Sequence, residues 1–274
     1  MDLHHRTPGA PLNRFVQSFW VARSQAPAHR KERLLPDGAM ALVINLHEDQ
    51  TRIYDRQNAD LCQRFNGCLL MGVHSEHFVI DTAEQVSVAG IHFRPGGAFP
   101  FLGMPADELE GLHVPLDALW GRFAGDLRER LLESGSPAEQ LMVMEQALLT
   151  RLRRPLSRHP AVEFALREFQ YGPQARSVSE VTEETGLSAR RFIEVFREQV
   201  GVAPKRFCRV QRFQKVLRSS ALAHDLDWSS IALECSYFDQ AHFIHDFRAF
   251  SGLTPTAYAQ QRHGLYTNHV PMRE

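Results

Sequence analysis

The sequence of 274 residues lacks a long apolar run, a cluster of cysteines and an excess of either charge. No stretch approaches the roughly 20 apolar residues of a membrane-spanning helix, and the first residues contain no signal-peptide core. Cys62, Cys68, Cys208 and Cys235 lack Cys-x-x-Cys spacing, which predicts reduced thiols rather than a zinc site. We therefore expect a cytoplasmic protein without a membrane contact, a metal or a cofactor.

The net charge of −1 gives no sign of a nucleic-acid partner, but the distribution of the charges does. One stretch near the middle of the C-terminal half contains basic residues and no acid. Contact with phosphates requires such a local basic ridge, although a solvated helix face has the same composition. The ridge comprises Lys205, Arg206, Arg209, Arg212, Lys215 and Arg218.

Residues 14–94 contain short runs of Val, Ile, Phe and Leu separated by turn formers, a pattern typical of β-strands. The run 40–46 is almost continuously apolar, as expected of a strand that is buried on both faces. Several strands so closely spaced predict a barrel or a sandwich. The predicted strands are 15–21, 40–46, 67–73, 77–80 and 86–93.

From Pro95 onward the pattern becomes helical, with a short helix or turn at 96–102 and amphipathic segments at 116–132 and 137–152. Pro155 interrupts the helical pattern, and after residue 159 no strand is expected. The predicted fold class is α+β. A β-rich sensor or regulatory domain with a helical connector occupies 1–155, and an all-α domain occupies 156–265.

The helical half contains an internal duplication with a constant offset of 51 residues. Each copy predicts a helix-turn-helix: a short helix (178–185 or 228–235), a tight turn, and a second helix that begins at a favourable N-cap, Ser188 or Asp239. The matching pairs are Phe192 and Phe243, Phe196 and Phe247, Gly201 and Gly252, and Pro204 and Pro255.

The outward face of the second helix in such a unit enters the major groove of DNA, while the phenylalanines form the buried stripe. Arg190 can bind guanine through two hydrogen bonds. Glu194 can accept from cytosine or pair with Arg190 one turn earlier, and the sequence leaves both open. The candidate DNA contacts are Arg190, Arg191, Glu194 and Arg197 in the first unit, Gln240, Ala241, His245 and Arg248 in the second, and Lys205, Arg206 and Arg209 between them.

These motifs resemble the DNA-binding domain of AraC/XylS-type transcription regulators over residues 160–261, most closely at 235–243 and 252–255. The resemblance implies that a linker helix over 203–218 holds two recognition helices about one DNA turn apart on one face of the duplex. It also implies double-stranded DNA and RNA polymerase as partners, in activation or repression. Two residues depart from the family pattern. Ser236 stands where a turn glycine is usual, and Thr182 stands where alanine is usual.

Two motifs in the first half, 35–38 and 92–98, resemble a less characterised N-terminal regulatory domain that is distantly like a ligand-holding β-barrel. This resemblance implies a sensor for a small-molecule effector, or a homodimerisation module, without identifying the ligand. We expect Asp37 to pair with Arg94. The candidate lining of an effector pocket is Phe19, Val43, Asn45 and His92.

Two other functional classes fit parts of the sequence. A cupin-like enzyme in the β-rich half would use His74, His77 and His92, with the helical half as an interaction module. A spacing of three along a strand would place His74 and His77 on opposite faces, which argues against a shared metal. We therefore expect no enzymatic activity. An interaction module that does not bind DNA would show no salt-dependent affinity for duplexes.

Overall fold

The computed structural model describes residues 2–24, 31–58, 60–82, 86–171, 176–222, 226–262 and 267–272. Two antiparallel sheets, formed by the N-terminal half and one C-terminal strand, accompany a helical half, which confirms the predicted α+β class. In chain order the strands are β1 (Asp2–Arg6), β2 (Val16–Arg23), β3 (Lys31–Leu34), β4 (Ala41–Asn45), β5 (Thr51–Tyr54), β6 (Cys62–Phe65), β7 (Cys68–Met71), β8 (Phe78–Asp81), β9 (Ser87–Phe93), β10 (His113–Pro115) and β11 (His269–Pro271).

The first sheet has the order β1-β2-β9-β4-β7-β10, and the second has the order β11-β3-β8-β5-β6. In the first sheet Phe19 pairs with Ile91, and Ile91 pairs with Leu42, so the three side chains share one face. That face packs on helices that follow the strands. Val43 lies in the next row and faces the second sheet. The first sheet is therefore covered by helices on one side and by a sheet on the other.

The helices begin and end where local chemistry dictates. Ser136 caps the helix that begins at Pro137, as the proline in its first turn predicts. Gly121, with φ of 60°, divides the predicted segment 116–132 into two helices. The helices are α1 (Phe99–Leu102), α2 (Leu116–Trp120), α3 (Phe123–Glu133), α4 (Pro137–Thr150), α5 (Pro160–Tyr171), α6 (Val178–Glu184), α7 (Ala189–Val200), α8 (Pro204–Leu222), α9 (Trp228–Glu234), α10 (Gln240–Ser251) and α11 (Pro255–Gln261). Within the described ranges, no helix has the length and apolar character needed to cross a bilayer.

The two helix-turn-helix units are packed in different hydrophobic cores. Phe192 and Phe196 of the first unit belong to the same core as the helix-covered face of the first sheet. Phe243 and Phe247 of the second unit lie in a separate core. Helix α8 joins the two cores, because Phe207 lies in the first core and its later apolar side chains lie in the second.

The prediction that no strand follows residue 159 is wrong, because β11 pairs antiparallel with β3 of the N-terminal half. Val270 is fully buried in the core of the second unit, and the Tyr258 hydroxyl donates to the carbonyl oxygen of Thr267 at 2.9 Å. His269 lies 2.8 Å from a carboxylate oxygen of Glu32. Three residues that include a proline have too little alternation to be recognised as a strand from sequence.

Candidate nucleic-acid interface

Helix α7 has the build expected of a recognition helix. The hydroxyl of Ser188 accepts from the backbone N–H of Arg191 at the start of the helix, and Gly201 ends it with φ of 97°. Phe192 and Phe196 are fully buried and fix the helix on the core. The opposite face carries Arg190, whose side chain is 91% exposed. The sequence pattern therefore positions an exposed basic face on a rigid element.

Glu194 lies between two arginines of this face. Its carboxylate oxygens are 3.0 Å from Nε of Arg190 and 3.5 Å from a guanidinium nitrogen of Arg191. The hydrogen bond from Arg190, with the two positive charges, holds the pKa of the Glu194 carboxyl below its ordinary value. The structure thus shows the pairing of Glu194 with Arg190 that the sequence left open, and base reading by Glu194 would require that pair to separate.

Arg197 is the third arginine among the candidate DNA contacts of α7, and its side chain points toward the N-terminal half. Its guanidinium lies 3.2 Å from a carboxylate oxygen of Asp107. At the start of α8, Arg206 is in the same situation, 2.8 Å from Glu110. Lys205 beside it is exposed. Sequence reasoning missed both carboxylates, because each lies about 90 residues earlier in the chain than its partner.

Helix α10 repeats the plan of α7 with a different surface. The Asp239 carboxylate accepts from the backbone N–H of His242 at 2.7 Å, and Gly252 ends the helix with φ of 70°. The outward side chains are exposed and carry fewer charges than those of α7. They are Gln240, Ala241, His245 and Arg248.

Arg209 has a structural partner that the sequence analysis did not foresee. One of its terminal nitrogens donates to Asp246 of α10 at 2.7 Å, and the Asp246 side chain is only 2% exposed. The hydrogen bond and the negative charge raise the pKa of the guanidinium above its ordinary value. Arg209 therefore ties the linker helix to the second unit, in addition to any contact that it makes with DNA.

The two departures from the family pattern have clear structural outcomes. Ser236 adopts φ of 55°, in the left-handed region that favours glycine, so the serine carries backbone strain that a glycine would avoid. Thr182 donates its hydroxyl hydrogen to the carbonyl oxygen of Val178 at 2.7 Å. This bond satisfies the polar group inside α6.

The four candidate effector contacts are not brought together. Phe19 lies on the helix-covered face of the first sheet, whereas Val43 lies on the opposite face. Asn45 is buried, but its side chain accepts from His47 and Glu48 and donates to Gln50 in a turn. His92 is one lining residue of a cavity of about 220 Å³ between the sheets and residues 267–269.

The expected pair of Asp37 and Arg94 does not form. The Nε of Arg94 donates to the carbonyl oxygen of Asn13 at 2.7 Å, and Asp37 accepts from the backbone N–H of Ala39. The carboxylate instead closes its own turn, as aspartate commonly does at this position.

A second, larger cleft of about 910 Å³ separates the β5–β6 hairpin from α8 and α10. His74, His77 and His113 line it. The expectation that His74 and His77 face opposite ways is wrong, because a turn rather than a strand joins β7 to β8 there. Burial lowers the pKa of His74 and His77 to about 4 and that of His113 to about 3, so these imidazoles are neutral at pH 7. In the ranges that the structure covers, no three His, Cys, Asp or Glu side chains are grouped to hold a metal ion.

Comparison with known proteins finds a match in each half of the chain. Residues 4–115 match a domain of unknown function, DUF6597, and residues 181–261 match a helix-turn-helix domain. No curated protein sequence matches the chain. Similar solved structures include ToxT of Vibrio cholerae O395 bound to a naphthalenyl-butenoic acid, at 9% identity with a TM-score of 0.49, over 88% of this chain and 98% of that one. They also include the C-terminal domain of AraT of Geobacillus stearothermophilus, at 22% identity with a TM-score of 0.35, over 38% and 87% of the two chains.

The matched domain, the paired recognition helices and their basic surface define a DNA-binding transcription regulator. Within residues 181–261, which match a helix-turn-helix domain, the sequence motifs resemble those of AraC/XylS-type regulators.

Proposed function

We propose that the protein regulates transcription by placing α7 and α10 in successive major grooves of one duplex, under the control of a small-molecule effector. The observation that carries the proposal is the pair of exposed recognition faces held by one continuous helix. Helix α8 has 19 residues, which at 1.5 Å per residue gives a length of about 28 Å. One turn of DNA is about 34 Å long, so the helix is on the scale needed to separate two groove contacts.

The first unit has the chemistry for most of the affinity and base reading. We assign base contact to Arg190, since its exposed guanidinium lies near the start of α7, where recognition helices reach base edges. Arg191 and Lys205 are suited to phosphates. In the second unit Gln240 can read adenine, and His245 and Arg248 extend the polar face. Because this face carries less charge, we assign it mainly to positioning.

We assign effector sensing to the N-terminal half, with His92 and the cavity of about 220 Å³ as the first place to look. RNA polymerase and a second copy of the chain are further proposed partners. Two tandem units let one chain span two grooves, so a dimer is not required for binding. We assign no catalytic reaction to the chain.

Footprinting on the DNA that flanks the protein's own gene, at several salt concentrations, tests the proposal. We expect protection of about two helical turns, and an affinity that falls by about 10³-fold or more between 50 and 200 mM salt if six or more phosphates are contacted. Flat salt dependence without a protected site would exclude DNA binding. Turnover by a fragment without residues 160–274 would instead support an enzyme.

The assignment of Arg190 predicts a specific loss. Arg190→Ala should weaken binding to the protected site by about 1–3 kcal/mol, roughly five- to 150-fold, and relax the preference at one base pair. The thermal midpoint should not move, because this side chain is almost fully exposed. Arg167→Ala on α5 is a matched control, since it removes an exposed arginine outside the recognition helices. Equal losses in the two variants would argue against base contact by Arg190.

A further inference from the structure

One short segment of the N-terminal half reaches the junction between α7 and α8. This segment, the acidic turn, consists of the 3₁₀ turn Ala106–Leu109 together with Glu110. Ala106 and Leu109 are buried in the core that the first helix-turn-helix unit shares. The backbone of Gly201 comes so near that a Cβ atom there would lie 3.3 Å from the carbonyl oxygen of Ala106. Apolar packing thus fixes the acidic turn against the first unit.

This packing places two carboxylates on two arginines. Asp107 lies 3.2 Å from Arg197 in the last turns of α7, and Glu110 lies 2.8 Å from Arg206 in the first turn of α8. Both carboxylate side chains are only 26% exposed. Salt screens such half-buried pairs less than fully exposed ones. The pairs therefore occupy the flanks of the turn that joins the recognition helix to the linker helix.

We infer that the acidic turn is an internal competitor of DNA, in which Asp107 and Glu110 bind the guanidinium groups of Arg197 and Arg206 that the duplex needs for its phosphates. Carboxylate and phosphate use the same guanidinium donors, so one arginine cannot satisfy both fully. A carboxylate left beside a bound phosphate would also repel it. DNA binding by the first unit then requires the acidic turn to move away or to release both arginines.

The competition is confined to the first unit. Among the described residues, no carboxylate of the N-terminal half pairs with Lys205 or Arg248. The acidic turn also borders the cleft of about 910 Å³, since Glu110 and Arg206 both line it. A solute that enters this cleft therefore meets the Glu110–Arg206 ion pair directly, at the start of the linker helix that follows the first recognition helix.

The inference rests on the proposed function and is tested with a duplex of random sequence of about 30 base pairs. We expect the variant Asp107→Asn/Glu110→Gln to bind this duplex about tenfold more tightly than the unsubstituted protein at low salt, because two arginines are released. The plot of log affinity against log salt concentration should become steeper by about two, since each additional phosphate contact contributes about 0.9. Fluorescence anisotropy at four salt concentrations gives both values.

Glu108→Gln is the matched control. Glu108 lies on the same turn and is exposed, and within the described residues it makes no ion pair. Its neutralisation removes one negative charge without releasing an arginine, so both affinity and salt slope should stay close to those of the unsubstituted protein. Asp107→Asn and Glu110→Gln should each give part of the effect, which preserves the test if the double variant fails to fold.

The outcomes separate the inference from the proposed function. If the unsubstituted protein binds DNA and the double variant binds no better than Glu108→Gln, the acidic turn does not compete with DNA. The proposed function as a regulator is then retained, and the inference fails. If only the variants with a released arginine bind, the proposed function and the inference are both supported. If no protein in the series binds a duplex at any salt concentration, the proposed function fails, and the inference fails with it.

Discussion

Arg209 and Lys205 lie one turn apart on α8 and carry the same charge, but their different surroundings imply different roles. Lys205 is exposed, whereas Arg209 donates to a carboxylate of Asp246 that is almost completely buried. A buried carboxylate without its partner retains the full cost of its lost hydration. Substitution of Arg209 should therefore lower the stability of the fold, whereas substitution of Lys205 should weaken DNA binding.

Arg209→Ala should lower the free energy of unfolding by about 2 kcal/mol. This is less than the roughly 3–5 kcal/mol for a fully buried pair, because the Arg209 side chain is 39% exposed. Lys205→Ala should leave the free energy of unfolding unchanged and reduce the salt slope of DNA binding by about 0.9. Urea denaturation and anisotropy on the same samples distinguish the two. An unchanged denaturation midpoint for Arg209→Ala would mean that Asp246 finds another partner.

The turns of the two helix-turn-helix units both contain a residue with positive φ, but only one of these residues is a glycine. Gly186 has φ of 70° in the first unit, and Ser236 has φ of 55° at the corresponding turn of the second. A side chain in the left-handed region costs about 1–2 kcal/mol, and glycine avoids that cost. The second unit therefore holds its two helices with a turn that is less favourable than that of the first.

Ser236→Gly should raise the free energy of unfolding by about 1 kcal/mol, while Ser236→Val should lower it, because a β-branched side chain is still less tolerated at positive φ. Thermal or urea unfolding of the full chain measures both. A loss for glycine would show that the contacts of the serine side chain outweigh the backbone strain, and a gain for valine would contradict the strain itself.

The elements differ in how far the sequence predicts them. Helices α7 and α10 were predictable, because their caps, their apolar stripes and their terminal glycines all lie within a few residues of one another. Strand β3 was not, because all four of its residues are half-buried and three of them are charged. It is a strand only through its pairing with β8 and β11. Candidate DNA contacts were likewise predicted from α7 and α10, whereas the partners of Arg197 and Arg206 depend on tertiary packing.

Across the molecule, the N-terminal half and the helix-turn-helix units are joined at several points with different chemistry. The acidic turn contacts the first unit, and the histidine-lined cleft lies against α8 and α10. The backbone N–H of His77 donates to the carbonyl oxygen of Phe250 at 2.9 Å. The stability of these contacts should therefore depend on whether the histidines that line the cleft are protonated.

Acidification should destabilise the protein through this cleft. Burial lowers the pKa of His74 and His77 to about 4 and of His113 to about 3, below the ordinary value of 6.5 that the unfolded chain would show. Between pH 6.5 and about 4 the unfolded state binds more protons, so the free energy of unfolding falls as the pH falls. The slope is at most about 1.4 kcal/mol per pH unit for each histidine. Urea titrations at pH 7.5, 6 and 5 measure it.

His113→Phe should reduce this pH dependence while it preserves the ring contacts with His74 and Phe78. His5→Phe, on an exposed position of β1, provides the control and should leave the slope unchanged. A slope that is identical in the unsubstituted protein and in His113→Phe would mean that the cleft histidines do not govern the acid response.

The pairing of β3 with β11 has a consequence for how the polypeptide reaches this structure as it leaves the ribosome. β3 is synthesised early, whereas β11 follows both helix-turn-helix units in the chain. Throughout the synthesis of the intervening residues, the second sheet has an open edge, and an open edge is a template for pairing between neighbouring nascent chains. Closure of that edge is a contact of very long sequence separation, which forms slowly because of its loop-closure entropy. The charged residues Lys31, Glu32 and Arg33 on β3 are the kind of side chain that discourages such intermolecular pairing until β11 arrives.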